Sequence, residues 1–283
     1  MNKWLKLSPN DKELYLNPKK AVIEHSQLQA LATKSANEFR NLHDKKYLNI
    51  SYGKRSNQKL DIFLPNNINN NPVQLYFHGG YWIGRDKFDH SHIAKPAVNN
   101  NIIHISVNYD LCPNVTLDII VLEAQECIDW VIRNIKKYGG NPLNINLIGH
   151  SAGAHLVAMA LTKNYNLNSF INSAILISGI YQPQITKYIS INDIINIDDK
   201  TVKMTDVYET YIIQKTNILI IVGDEEPDPW KDLSKDFGVW LTKHKIQFEF
   251  FSALKLNHFT LVKALSEETS IISGKITSLS VKA

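Results

Sequence analysis

An α/β fold, with a mostly parallel sheet lying between helices, is predicted by three observations. Short apolar runs that read as strands alternate with longer segments of helical period over most of the chain. One run, Ile218-Leu219-Ile220-Ile221-Val222, is continuously apolar, as a strand covered on both faces must be. Another, Ile145 to Ile148, passes through Gly149-His150-Ser151-Ala152-Gly153 into the small and apolar residues Ala154 to Leu161, the pattern of strand, sharp turn and buried helix.

The elements follow in order. Residues 1–46 read as a helical arm added to the core, with a helix running from Ser26, its N-cap, to Arg40. Residues 47–51 and 60–64 are two strands joined by a polar connection, and 65–72 is a low-complexity polar loop. Strand 73–77 ends in His78-Gly79-Gly80-Tyr81-Trp82; a helix at 90–99, a strand at 102–107 and a long helix at 117–137 come next. Beyond Leu161 the alternation continues with strand 173–178, strand 218–222, helix 230–244, strand 246–251 and a closing helix at 259–265. Residues 181–211 have no clear period and are expected to form a cap-like insertion above the carboxyl edge of the sheet, where open α/β sheets bind ligands. Without a linker or repeat, 1–283 reads as a single domain.

Composition narrows the function. The chain is 44% hydrophobic and 20% charged with a net charge of +4, too mild for a nucleic-acid binder, and it has no basic stripe. Neither a signal-peptide core nor a run of membrane-span length is present, so a cytoplasmic protein with no membrane partner is expected. The two cysteines, Cys112 and Cys127, lack metal or disulfide spacing, and no metal-ligand cluster or nucleotide-binding glycine pattern occurs. No cofactor and no metal are therefore expected. The expected partner is a small-molecule substrate, with homodimerisation left open.

Serine is a weak nucleophile at neutral pH and needs a base, an orienting acid and donors for the developing oxyanion. The glycine-bracketed turn would expose Ser151 as nucleophile. His258 falls after the last strand and before a helix, where a loop can lower its imidazole onto Ser151. The acid lies in Gly223-Asp224-Glu225-Glu226 after the apolar strand; Glu226, three residues past the glycine, is preferred, with Asp224 and Asp228 as alternatives. Gly79 and Gly80, together with Ala152 after the nucleophile, supply bare N–H groups for an oxyanion hole. Tyr81, Trp82, His155 and Tyr181 are the candidates for the substrate pocket.

His78-Gly79-Gly80-Tyr81-Trp82, Tyr138-Gly139-Gly140-Asn141-Pro142 and Gly149-His150-Ser151-Ala152-Gly153-Ala154-His155-Leu156 resemble the kynurenine formamidase (arylformamidase) branch of the α/β-hydrolases, itself similar to hormone-sensitive-lipase-type esterases. The resemblance spans nearly the whole chain. It departs at Asp110, where the pattern carries arginine, and around Trp230 after the acid. It implies a cofactor-free serine hydrolase that removes a formyl group from an arylformamide such as N-formylkynurenine. A short-chain carboxylesterase, or a non-catalytic binding protein on the same fold, would share these motifs.

Overall fold

The computed structural model describes residues 3–162, 170–210 and 216–282; residues 1, 2 and 211, at the ends of the arm and insertion, lie outside them. The arm comprises helices α1 (Pro9–Leu16), α2 (Pro18–Ala21) and α3 (His25–Leu42). Then come strands β1 (Lys46–Ser51), β2 (Lys59–Phe63) and β3 (Asn71–Phe77), helix α4 (Ala94–Asn99), β4 (Ile103–Val107) and α5 (Leu117–Asn134). The centre is β5 (Gly140–His150), α6 (Ala152–Ala160) and β6 (Ile171–Ile177), followed by the short helices α7 (Asn192–Ile195) and α8 (Asp199–Thr205). The chain closes with β7 (Asn217–Gly223), α9 (Asp228–Lys243), β8 (Phe248–Ala253), α10 (Thr260–Ser266) and α11 (Ile271–Val281).

The strands form one eight-stranded sheet in the order β1-β2-β4-β3-β5-β6-β7-β8. Pairing is antiparallel from β1 to β2 and from β2 to β4, and parallel from β4 to β8. Alternation along the central strands feeds two cores. Leu75, Phe77, Leu147, Leu176 and Ile220 enter one, and Tyr76, Ile148, Ile175 and Ile221 the other. Parallel pairing puts the carboxyl ends of β3, β5, β6, β7 and β8 along one edge, so the residues that follow them share one rim.

The hairpin is tied to the turn beyond β3 by a buried ion pair. Lys87 Nζ lies 3.1 Å from Asp61 Oδ1 and 2.8 Å from Asn49 Oδ1, over the Phe88 ring. A buried charge of this kind is tolerated only because it is paired and hydrogen-bonded.

Three expectations are corrected. The arm helix starts at His25, with Glu24 as a cap that makes no side-chain bond; the His25 ring engages the Val22 carbonyl, and Ser26 lies inside the helix. The element expected at 90–99 begins at Lys87 as a 3-10 turn, because Asp86 and Asp89 form a capping box there, and becomes α-helical only at Ala94. The helix at Thr260–Ser266 does not close the chain. A further helix, α11, follows it, capped by Ser270 and held by Ser280, which accepts from Gln74 and Asn144 under the sheet.

His78, His90, His92, His104, His150 and His155 are all buried, and burial holds each imidazole below its ordinary pKa, to about 4 for His92 and His155 and about 3 for His104. Below about pH 6.5 the unfolded chain binds protons that the folded chain refuses. Stability is therefore complete above that pH and lost as pH falls toward the folded values. Unfolding free energies from urea titrations between pH 7.5 and 5 should fall steadily, by on the order of 1 kcal/mol per pH unit below about 6.5 for each of His92, His104 and His155. A flat profile would contradict the burial of these rings.

Candidate active site

β5 ends at His150, and Ser151 turns the chain into α6 with φ 56° and ψ −119°. Such a conformation costs a non-glycine residue roughly 1–3 kcal/mol and persists only where its surroundings impose it. Here the Ser151 N–H donates to the Ile177 carbonyl at the end of β6, 2.8 Å away. The flanking glycines are steric necessities. A Cβ on Gly149 would stand 2.3 Å from the Gly153 carbonyl oxygen, and one on Gly153 would stand 2.0 Å from that of Phe77.

Beyond β7, Glu226 is buried, whereas Asp224 and Asp228 are exposed and Asp228 pairs with Lys231. Glu226 Oε1 meets His258 Nδ1 at 2.7 Å, and Oε2 accepts from the Gly223 N–H at 2.8 Å and from the Ser178 hydroxyl. Both oxygens are occupied, so the carboxylate has one orientation. Its contact makes Nδ1 the protonated nitrogen of His258 and leaves Nε2 as the acceptor. The His258 ring stands edge-to-face on Trp230 with centroids 4.9 Å apart, and its carbonyl oxygen accepts from His150 Nε2 at 3.0 Å. His150 therefore joins the turn at Ser151 to the loop that carries His258. Nothing in a G-x-S-x-G pattern signals that bond.

Gly79 and Gly80 lie across from the elbow. A Cβ on Gly79 would come within 2.9 Å of Ser151 Cβ, and Gly80 has φ 116°, which favours glycine. The carbonyls of this loop are taken, because Tyr109 donates to the His78 oxygen at 2.6 Å and His78 Nδ1 meets the Gly79 oxygen at 2.7 Å. Among the described residues nothing accepts from the backbone N–H groups of Gly79, Gly80 or Ala152. Ala152 opens α6, so its N–H also carries the positive end of the helix dipole.

Gly79, Gly80, Ser151 and His258 line one cavity of about 690 Å³, counting its open mouth. Tyr81 is on the wall, its hydroxyl donating to the Leu16 carbonyl of the arm. Trp82, His155 and Tyr181 are not, which corrects the expected pocket. Successive positive φ values at Tyr81 and Trp82 send the Trp82 ring into the core, edge-on to His155, whose Nε2 bonds the Thr205 carbonyl. Tyr181 stacks on Phe237 at 4.0 Å, also in the core. The arm, expected as a mere addition, supplies Asn17, Pro18, Lys19, Leu28, Gln29 and Ala32 to the wall, and the insertion supplies Ile191. Asp110 pairs with Arg55 of the β1–β2 connection, away from the cavity. Among the described residues no group of three or more His, Cys, Asp or Glu side chains could hold a metal ion.

The BD-FAE family model matches residues 60–229, from β2 to the start of α9, a stretch that contains the glycine loop, the elbow and Glu226. The chain belongs to the BD-FAE family. This BD-FAE chain is 25% identical to the kynurenine formamidase of Danio rerio over 290 residues, covering 96% of the chain and 97% of that protein. It is 34% identical to the kynurenine formamidase of Salmo salar over 149 residues, 50% of the chain and 49% of that protein. A crystal structure from Silicibacter, described provisionally as a thioesterase, is 26% identical, with a TM-score of 0.79 over 92% of the chain and 97% of its own. The BD-FAE chain is thus a kynurenine-formamidase-like α/β-hydrolase and a hydrolytic enzyme.

The Glu226→Gln substitution keeps the shape of the side chain and removes its charge. It should lower kcat on 4-nitrophenyl acetate by on the order of 10³–10⁴-fold, while Asp224→Asn should stay within about two-fold of the parent. Equal losses for the two would contradict the assignment of the acid.

Proposed function

We propose that Ser151, His258 and Glu226 are the catalytic triad of a serine hydrolase that removes the formyl group from an arylformamide such as N-formylkynurenine. One observation carries this reading: the 2.7 Å bond from His258 to the buried Glu226, at a cavity that also holds Ser151 in its strained turn. The near-complete overlap with the Danio rerio kynurenine formamidase supports the choice of formamide.

Ser151 Oγ attacks the formyl carbon while His258 Nε2 takes its proton, and Glu226 stabilises the imidazolium that forms. The N–H groups of Gly79, Gly80 and Ala152 receive the carbonyl oxygen as it gains charge. His258 then gives its proton to the departing arylamine nitrogen as the C–N bond breaks, leaving a formyl ester on Ser151. A water molecule, deprotonated by His258, adds to that ester. Collapse releases formate and returns the proton to Ser151 Oγ. A cytoplasmic setting fits two buried cysteines, Cys112 and Cys127, that form no disulfide.

A second reading is a carboxylesterase with the same triad, since the same hydroxyl, imidazole and cradle also cleave esters, and the Silicibacter protein, 26% identical, is described provisionally as cleaving a related acyl bond, that of a thioester. Comparing kcat/KM for N-formylkynurenine with that for short 4-nitrophenyl esters separates the two. The formamide should dominate, and dominance of the esters would overturn the formamidase reading. Ser151→Ala should abolish turnover of both, with a loss on the order of 10⁴-fold or more. Near-normal turnover in that variant would overturn the triad.

A further inference from the structure

Outside the cavity, Arg55, Asp110 and Glu123 form a cluster of two carboxylates around one guanidinium. We propose that Glu123 is a positioning residue for the acyl transfer: through Asp110 it fixes the segment that grips the glycine loop at both ends, and so sets the oxyanion cradle. The inference rests on reading Gly79 and Gly80 as that cradle.

The gripping segment is residues 108–112, which follow β4. Tyr109 donates to the His78 carbonyl at 2.6 Å and the Cys112 N–H donates to the Trp82 carbonyl at 2.8 Å, so two bonds bracket Gly79 and Gly80. Asn108 holds the same loop further on. It accepts from the Lys87 N–H at 2.6 Å and donates to Asp86 at 2.6 Å. Between Tyr109 and Cys112 the segment is fixed by Glu123 of α5, whose Oε2 accepts from the Asp110 N–H at 2.7 Å. A shift of Asp110 therefore moves both gripping groups. The cradle tolerates little movement, because its donors must stand about 3 Å from the oxyanion.

The second oxygen of Glu123 is differently placed. Oε1 is buried and accepts no hydrogen bond among the described residues, lying 3.4 Å from Arg55 Nε. The same guanidinium stands 3.6 Å from Asp110 Oδ2. Burial, and with it the facing Asp110 carboxylate, pushes the Glu123 carboxyl above the usual carboxylate range, against the Asp110 N–H and Arg55, which pull it down. The other ionisable groups around it are Glu126, which accepts from Gln58, and Tyr52 and Cys127, which burial holds neutral. Surroundings that raise the pKa of an acid favour its neutral form, and by linkage its ionisation works against those surroundings. Once Glu123 ionises, two carboxylates share one guanidinium, and the packing that fixes Asp110 is opposed.

Hydrolysis of 4-nitrophenyl acetate from pH 6 to 9 tests this, because acylation and deacylation both pass through an oxyanion. In the parent enzyme kcat should rise with pH, since the base must be neutral, and then fall by about five-fold on the alkaline side with KM nearly constant. Glu123→Gln keeps an acceptor for the Asp110 N–H and cannot ionise, so it should remove the alkaline fall. Glu123→Ala, assayed well below its melting temperature, should lower kcat by about ten-fold or more across the range and leave KM within about two-fold. If that variant does not fold, the profile of Glu123→Gln decides alone. A parent kcat that stays level to pH 9, or an alkaline fall that Glu123→Gln retains, would overturn the proposal, as would a Glu123→Ala enzyme with kcat kept and KM raised. Turnover that survives Ser151→Ala overturns the acyl-transfer reading itself, whereas a Ser151-dependent enzyme whose alkaline profile ignores Glu123 overturns only the positioning role.

Discussion

The positive φ of Ser151 is the constraint on which the rest of this molecule depends. A serine held there lifts its hydroxyl off the carboxyl edge of β5, but the turn closes only if β5, α6 and the end of β3 approach to distances no side chain tolerates. The absence of side chains at Gly149 and Gly153 makes that approach possible, and the bond from the Ser151 N–H to Ile177 locks it. Parallel pairing then does the positioning. Residues 79, 151, 226 and 258 each follow the carboxyl end of a different strand, so the parallel register brings them to one rim.

Around this turn the polar groups are committed one by one. Glu226 is fixed by Ser178, the Gly223 N–H and His258; the loop carrying His258 is fixed by His150; the carbonyls of the glycine loop are fixed by Tyr109 and His78. What remains uncommitted at the cavity is the set the proposed hydrolytic step requires: the acceptor nitrogen of His258 and the N–H groups of the cradle. Preorganised donors of this kind stabilise developing charge without having to reorient during the reaction. The N-terminal arm roofs the site, with Leu28 and Ala32 of α3 and Lys19 of α2 on the wall. The cavity wall is thereby built partly by a segment remote in sequence from the turn at Ser151.

Much of this was legible in the sequence, and for steric reasons. The elbow is written as G-x-S-x-G because its glycines avoid backbone clashes, and strand β7 is visible because burial on both faces demands continuous apolar residues. Other features leave no such trace. Which of Asp224, Glu226 and Asp228 turns inward is decided by burial and by Ser178, a residue 48 positions away from Glu226. Helix α11 is rich in serine and threonine and docks through hydrogen bonds as well as apolar contacts, so its pattern is weak. The directions of Tyr81 and Trp82 follow from consecutive left-handed residues, which neither side chain signals, and the pocket expected from them was placed wrongly in part.

The convergence of hydroxyl, imidazole and glycine cradle is tested most directly by a crystal structure of the enzyme inhibited with a small fluorophosphonate, a tetrahedral mimic of the acyl intermediate. The account predicts phosphorus on Ser151 Oγ, its free oxygen about 3 Å from N–H groups of Gly79, Gly80 and Ala152, and His258 Nε2 within hydrogen-bond reach of the serine oxygen. A phosphonyl oxygen directed away from the cradle, or an adduct on another residue, would contradict it.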